Sequence, residues 1–225
     1  MNENETVWTI VVAAGSGLRF GSAKQFEVIG GKKIVDWAVE AAAKFSAGVV
    51  TVLPPGQANG PREVEGGSTR SESVRRGLAA VPDEASIICV HDAARPFASP
   101  TVFMRVISAV VDGADAAVPG VPVVDTIKQV NESNVVVATP RRESLRAVQT
   151  PQAFRATSLR AAHANGGEGT DDASLIEKMN GEVVVVEGEA VNRKITNRDD
   201  LEWASAHAHA LLEGCLLYTS DAADE

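Results

Sequence analysis

The feature that most constrains this chain is an unbroken apolar run, Trp8-Thr9-Ile10-Val11-Val12, that passes straight into Ala13-Ala14-Gly15-Ser16-Gly17. A short run without polar alternation fits a strand buried on both faces, the pattern of a parallel sheet covered by helices. Small residues directly after such a strand let the backbone approach a ligand closely. Its N–H groups can then cradle phosphate oxygens.

The rest of the chain supports that start. Ile34, Val35, Trp37, Ala38, Ala41, Ala42 and Phe45 follow helical spacing, and Val49 to Leu53 predicts a second strand closed by Pro54-Pro55. A short strand around Arg62 to Val64 and a glycine turn precede a helix carrying Val74, Leu78 and Val81. Ser86 to Val90 predicts another buried strand, followed by a helix from Thr101 to Val111 and a strand near Ala116. This strand–helix alternation predicts a doubly wound, mostly parallel, twisted sheet. After Gly120 the rhythm changes. Val123 to Val130 and Val135 to Thr139 flank Asn131-Glu132-Ser133-Asn134, which predicts a protruding β-hairpin arm over about 122–142. Val183 to Val186 predicts a further strand, and Asn197 caps a final helix whose expected stop is Gly214. Residues 1–214 are expected to form one domain. Cys215 to Glu225 continue no pattern and are expected to be a non-native or disordered tail.

The glycine loop fails two familiar tests. The dinucleotide fingerprint misses by one residue, because its third glycine falls at Gly21, and no G-K-S or G-K-T follows for a nucleoside triphosphatase loop. Two cations, Arg19 and Lys24, follow it instead, which suits a triphosphate. The net charge of −9 argues against wholesale nucleic-acid binding, so any anion site must be a local basic cluster. Two distant cysteines, Cys89 and Cys215, argue against a disulfide scaffold. No apolar run is long enough to span a bilayer, and the polar N-terminus lacks a signal peptide's basic region. A cytoplasmic, soluble protein is expected.

Several ordered motifs remain: Gly66 to Val74 (G-G-S-T-R-S-E-S-V), His91 to Pro96 (H-D-A-A-R-P), Asp125 to Lys128 (D-T-I-K), Gln149 to Gln152 (Q-T-P-Q), Thr170 to Ser174 (T-D-D-A-S) and Asn192 to Thr196 (N-R-K-I-T). With A-A-G-S-G-L-R-F-G and K-Q at the N-terminus, the set resembles the 2-C-methyl-D-erythritol 4-phosphate cytidylyltransferases of the non-mevalonate isoprenoid pathway, from about Val7 to Leu212. The resemblance implies a Rossmann-like nucleotide-diphospho-sugar transferase fold and transfer of CMP from CTP to a polyol phosphate, with release of pyrophosphate. It implies that Ala13, Ala14, Gly15, Ser16 and Gly17 hold the CTP phosphates and flank the base, with Gly67, Arg70, Ser73 and Asp92 around the nucleoside and ribose. Arg19, Lys24, Arg142 and Lys194 are implied as the catalytic cations. Ala93, Arg95, Thr126 and Thr150 are implied as acceptor contacts. Mg²⁺ is the implied cofactor, near Asp92, and a homodimer with shared active sites the implied assembly. The segment between Pro54 and Gly66 is short for this resemblance. Ribitol 5-phosphate cytidylyltransferases share much of the motif set, and a non-catalytic nucleotide-binding module on the same fold is the alternative from another class.

The chemistry needs what the sequence offers. A phosphate monoester and a triphosphate are both anions, and two unit charges 4 Å apart repel by ~1 kcal/mol in water and ~4 kcal/mol at an effective dielectric of 20. Cations at strand ends answer that need, and an acceptor phosphate with second pKa of about 6 requires no activating base. Other residues invite blander readings. His91 is expected to be structural, Cys89 inert core, and Arg75-Arg76 a solvated helix face. His207 and His209 point to different faces and are poor metal partners. Asp171-Asp172 suits a helix start as well as a metal pair.

Overall fold

The computed structural model describes residues 5–15, 20 and 23–220. The first apolar run becomes β1 (Val7–Val12). After a 3-10 turn over Lys24–Phe26 come a small hairpin, β2 (Val28–Ile29) and β3 (Lys32–Lys33), then α1 (Ile34–Ala43) and β4 (Gly48–Leu53). Next are β5 (Glu63–Glu65), α2 (Arg70–Leu78), β6 (Ile87–Asp92), α3 (Pro100–Val111) and β7 (Ala116–Pro122). The arm carries β8 (Gln129–Val130) and β9 (Val136–Ala138), and the chain returns through β10 (Arg146–Val148) and β11 (Gln152–Arg155). It ends with α4 (Ala156–His163), α5 (Ala173–Lys178), β12 (Val183–Glu187) and α6 (Arg198–Ser220).

The main sheet runs β10-β7-β11-β6-β1-β4-β5, with β12 also on β7. β5, β4, β1 and β6 are mutually parallel, and so are β12 and β7; β10 and β11 run against their neighbours. β11 pairs with the first part of β7 and β10 with its last part. Gln149 N–H donates to the Pro119 carbonyl at 2.7 Å in the gap between them. Pro119, which has no N–H to give, therefore falls where the ladder is already interrupted.

Alternation along the strands divides the core. Trp8, Ile10, Ile88, Val90 and Phe154 meet α2, α4 and α5, while Val7, Val11, Ile87, Cys89 and Ala153 meet α1 and α3. The expected α/β sheet is thus present, with helices on both faces. A third cluster joins Ile29, Ile34, Phe97, Ile195, Ala204 and Ala208 under α6. Side chains cap helix starts: Thr69 accepts from Glu72 N–H, and Ser99 accepts from Val102 N–H ahead of Pro100. Asn197 accepts from Asp200 N–H at 2.8 Å, as its capping role predicts.

Some expectations need correction. α6 does not stop at Gly214 but continues to Ser220; a single glycine costs a helix only about 1 kcal/mol, and no proline follows. Val81 lies beyond the end of α2. The arm's strands are much shorter than the apolar runs that predict them, because residues 123–128 have no strand alongside them in the single chain. Residues 54–62 contain no helix, in keeping with the shortness of that segment. Sequence periodicity gave no warning of β10, β11 or α4, whose apolar content is sparse.

Candidate active site

The chain leaves β1 toward β4 and β5, then returns to β6 on the other side of β1. Ligands of open α/β sheets bind where the strand order reverses, beyond the carboxyl ends of the strands. Val12 and Asp92, paired in register, close β1 and β6 at that point. A cleft of about 730 Å³ opens above them. Ala13, Ala14 and Gly15 form one wall, Gly67, Arg70 and Ser73 a second, and Lys24, Asp92, Ala93 and Lys194 the floor and third side. Gln25 and Thr196, which stand in the K-Q and N-R-K-I-T motifs but were given no role there, also line it.

The two glycine-bearing walls touch because neither carries bulk. A Cβ on Gly66 would sit 2.2 Å from the Ala14 Cβ, so only glycine fits there. Among the described residues nothing lies within 4 Å of where a Cβ on Gly15 would stand. Gly67 N–H donates to Ser73 Oγ at 3.1 Å, and Ser73 Oγ–H donates to the Thr69 carbonyl at 2.9 Å, which ties the loop to the first turn of α2.

Asp92 is the electrostatic hub. Its Oδ2 accepts from Lys194 Nζ at 2.6 Å, and its Oδ1 lies 3.6 Å from Arg70 Nε. Burial alone would raise the Asp92 carboxyl, but Arg70, then Lys194 and Arg95, hold it well below the usual carboxylate range. Arg70 is in turn anchored from behind: its Nη1 donates to Asp172 Oδ2 at 2.7 Å, and Asp172 Oδ1 lies 3.0 Å from His163 Nε2. Burial pulls the Arg70 guanidinium down, yet Asp172 and Asp92 more than compensate and raise it. Lys24 Nζ donates to the Ile195 carbonyl at 2.7 Å, so the two lysines meet across the Asn192–Thr196 turn. That turn is shaped by Asp200, whose Oδ2 accepts from Thr196 N–H and Oγ1–H and from Asn197 N–H.

The other predicted residues are placed differently. Ser16, Gly17 and Arg19 lie outside the described residues. Arg95 stands behind the lining, its Nη1 donating to the Asn192 carbonyl at 2.7 Å. Thr150 is not presented to the cleft as a ligand contact; it is buried, and its hydroxyl serves Asp92 N–H and His91. Thr126 and Arg142 lie on the exposed arm, and Arg142 Nη1 donates to the Val124 carbonyl at 3.2 Å. Neither joins the lining of this chain's own cleft.

Among the blander readings, Cys89 is fully buried and its thiol is pushed up to about 12 by burial. Asp171 does start a helix, accepting from Ser174 N–H, whereas Asp172 is the buried anchor of Arg70. Arg75 and Arg76 are more than a solvated face: they donate to the Gly167 and Gly66 carbonyls, at 2.9 Å each. His207 stacks on Trp203, with ring centroids 5.3 Å apart. The sequence missed Asp172, Ile195 and Asp200 as site supports. All three sit in or beside the quoted motifs, but burial of a carboxylate is not written in a motif.

A switch-point cleft with a phosphate-sized small-residue loop and converging lysines and arginine defines a nucleotidyltransferase. The sequence pattern described as "IspD: 2-C-methyl-D-erythritol 4-phosphate cytidylyltransferase" matches residues 7–210, and the chain belongs to that family. It is 42% identical over 215 residues to a 2-C-methyl-D-erythritol 4-phosphate cytidylyltransferase of Nocardia farcinica, covering 88% of this chain and 92% of that one. It is 41% identical to a "Bifunctional enzyme IspD/IspF" of Solidesulfovibrio magneticus, where the match covers 87% of this chain but spans only 56% of the relative. The crystal structure of the Thermus thermophilus cytidylyltransferase superposes with a TM-score of 0.76 at 39% identity, covering 91% of this chain and 98% of that one.

Proposed function

We propose that the chain transfers CMP from CTP to 2-C-methyl-D-erythritol 4-phosphate, giving 4-diphosphocytidyl-2-C-methyl-D-erythritol and pyrophosphate. The observation that carries this reading is the convergence of Lys24, Lys194 and Arg70 on the Asp92 end of β6, facing the Ala13–Gly15 loop. An oxygen of the acceptor phosphate attacks the α-phosphorus of CTP. The new P–O bond forms as the bond to the β-phosphate bridging oxygen breaks, and the electron pair leaves with pyrophosphate. No proton has to be removed from the nucleophile, so the residues have only to position two anions and offset their repulsion. The Ala13–Gly15 backbone cradles the triphosphate, Lys24 and Arg19 stabilise its developing charge, and Gly67 and Ser73 border the nucleoside. Lys194 and Arg95 serve the acceptor.

Mg²⁺ fits this lining in one particular way. Among the described residues no three His, Cys, Asp or Glu side chains converge, so a metal cage made by protein alone is not offered. Asp92 supplies a single carboxylate beside the phosphate loop, and Mg²⁺ commonly uses one or two carboxylates together with substrate phosphates. When bound, the ion would neutralise phosphate charge during the displacement. Asp92 would then share its carboxylate with the ion in place of Lys194 or Arg70.

The functional unit in this reading is a homodimer built on the arm. Val124, Val130, Val135, Val136 and Val137 are between 47% and 79% exposed, an apolar set that an isolated two-stranded hairpin cannot bury. A twofold exchange of arms covers them and carries Thr126 and Arg142 to the acceptor side of the other subunit's cleft. We place the enzyme in the cytoplasm, where Cys89 stays a reduced core thiol; among the described residues no helix is long and apolar enough to cross a membrane.

The test is pyrophosphate release from each of the four ribonucleoside triphosphates with a panel of polyol phosphates, with and without Mg²⁺. Turnover is expected with CTP and methylerythritol 4-phosphate and only with the metal. Turnover with ribitol 5-phosphate alone overturns the acceptor assignment, and binding of CTP without turnover overturns catalysis.

A further inference from the structure

We propose that His91 is a positioning residue that fixes the Asp92–Arg95 turn by holding both of its ends. Alternation along β6 sends Val90 toward α2 and Cys89 toward α3, so His91 belongs to the apolar α3 face, with the Phe103 ring centroid 5.5 Å away. It is fully buried. An imidazole in such a place is costly unless both nitrogens are paired. Both are: Nε2 lies 3.1 Å from the Arg95 carbonyl and Nδ1 lies 3.0 Å from Thr150 Oγ1.

The chemistry of the partners fixes the direction of every bond. A carbonyl only accepts, so Nε2 carries a proton and donates to Arg95. The ring is fully buried against Phe103 and both of its hydrogen-bond partners are neutral, so a charge there would go unanswered and Nδ1 holds a lone pair. The Thr150 hydroxyl donates to that lone pair, which leaves its oxygen free to accept from Asp92 N–H at 3.0 Å. One ring thereby reaches the last residue of the turn directly and the first residue through Thr150. The turn itself closes with Arg95 N–H donating to the Asp92 carbonyl at 3.0 Å. Asp92 and Arg95 are the residues whose side chains meet Lys194 and Arg70, and Asn192, respectively. Displacing either end moves a charged group that must hold its place against an anion.

The two arms of the brace can be cut separately. In His91→Asn the amide oxygen can stand where Nδ1 accepts, but nothing reaches the Arg95 carbonyl. In His91→Gln the amide nitrogen can stand where Nε2 donates, but the Thr150 hydroxyl loses its acceptor. This inference rests on the reading that Arg95 faces the acceptor and Asp92 the nucleotide side. With that reading, His91→Asn raises the KM for the polyol phosphate by about 10- to 100-fold with the KM for CTP little changed. His91→Gln instead lowers kcat and weakens CTP, Thr150→Val reproduces it, and Thr150→Ser restores wild-type constants. The second measurement uses the unaltered protein: histidine-selective ¹⁵N NMR at neutral pH should show position 91 as the neutral tautomer protonated at Nε2. A ring protonated at Nδ1, or an imidazolium, overturns the brace whatever the activity. So do variants that lower the melting temperature while leaving every kinetic constant as in wild type. If the unaltered protein transfers no cytidylyl group, the functional reading fails, and the tautomer still decides the brace.

Discussion

The cleft wall and the arm are built on opposite principles. In the wall, charged groups are already answered within the chain: Asp92 by Lys194 and Arg70, and Arg70 by Asp172. In the arm, the hairpin is held by a few exposed contacts such as Lys128 Nζ to Thr139 Oγ1, and its valines face outward. The wall is finished inside one chain, whereas the arm carries apolar surface that the chain itself leaves uncovered. In the proposed dimer, that difference assigns the second copy's contribution to Arg142 and Thr126, and leaves Lys24 and Lys194 to their own chain.

The largest expected effect tests the wall alone. Lys24→Ala should cut kcat by about 10²–10³, the usual loss when a preorganised charge stabiliser is removed. Melting temperature should hardly change, because the lysine is only half-buried and stands at the start of a short 3-10 turn. Near-normal kcat would remove Lys24 from the machinery. Next comes the link between the two regions. Lys24→Ala and Arg142→Ala, each nearly inactive, are mixed and allowed to exchange subunits. If Arg142 serves the other subunit's site, one site in each mixed dimer has both lesions and the other has neither. Random mixing then restores about a quarter of wild-type activity. No recovery despite proven exchange breaks the shared site, and a monomer in sedimentation breaks the arm's role altogether.

What the sequence made legible follows the same division. β1, β4 and β6 could be read directly, because strands buried on both faces leave continuous apolar runs. Ala13 to Gly15, Asp92 and Lys194 were legible through ordered motifs, and the structure brings them to one cleft. Periodicity could not show that Thr150 turns inward, since a hydroxyl serving two buried partners reads like any polar residue in a loop. Nor could it show that Asp172 is buried, because its partners Arg70 and His163 come from distant parts of the chain. The arm's strands were overestimated for the converse reason. Its valines have strand propensity, but a strand also needs a neighbour.

Truncation sharpens the contrast energetically. Ile88 is fully buried, and Ile88→Ala should cost about 2–5 kcal/mol of unfolding free energy. Val136 is 52% exposed in the single chain, and Val136→Ala should cost under about 0.5 kcal/mol at protein concentrations low enough to separate subunits. Urea unfolding at low and high protein concentration measures both. The cost of Val136→Ala should grow with concentration, as mass action requires of a residue buried by a partner. A cost independent of concentration would mean that the arm packs on its own chain.

The last contrast is one of proton linkage, since the cleft wall hides an imidazole and the arm, Val123 to Arg142, contains no histidine. The pKa of the His91 ring falls from an ordinary 6.5 to about 4 on folding, chiefly through burial, with the Asp92 carboxylate opposing the fall and the Arg95 guanidinium assisting it. Between those two values the unfolded chain binds a proton at position 91 that the folded chain refuses. Stability must therefore rise with pH across that window, be fully present above 6.5, and be lost as pH falls through 4. The linkage amounts to at most about 3–4 kcal/mol, since displacing a pKa by one is worth about 1.4 kcal/mol. The Asp92 carboxyl, depressed below its ordinary 3.8, adds its own acid sensitivity only at lower pH and does not blur the window. His91→Gln removes the titration while keeping a buried polar group in place. Subtracting its unfolding free energy from that of wild type, from about pH 4 to 8, cancels the other histidines to first order. The difference should slope upward between 4 and 6.5 and then run flat. A difference that stays flat through the whole range would mean that burial does not hinder protonation of the ring; once Nδ1 takes a proton it can no longer accept from Thr150, and only the Nε2–H bond to the Arg95 carbonyl keeps its direction.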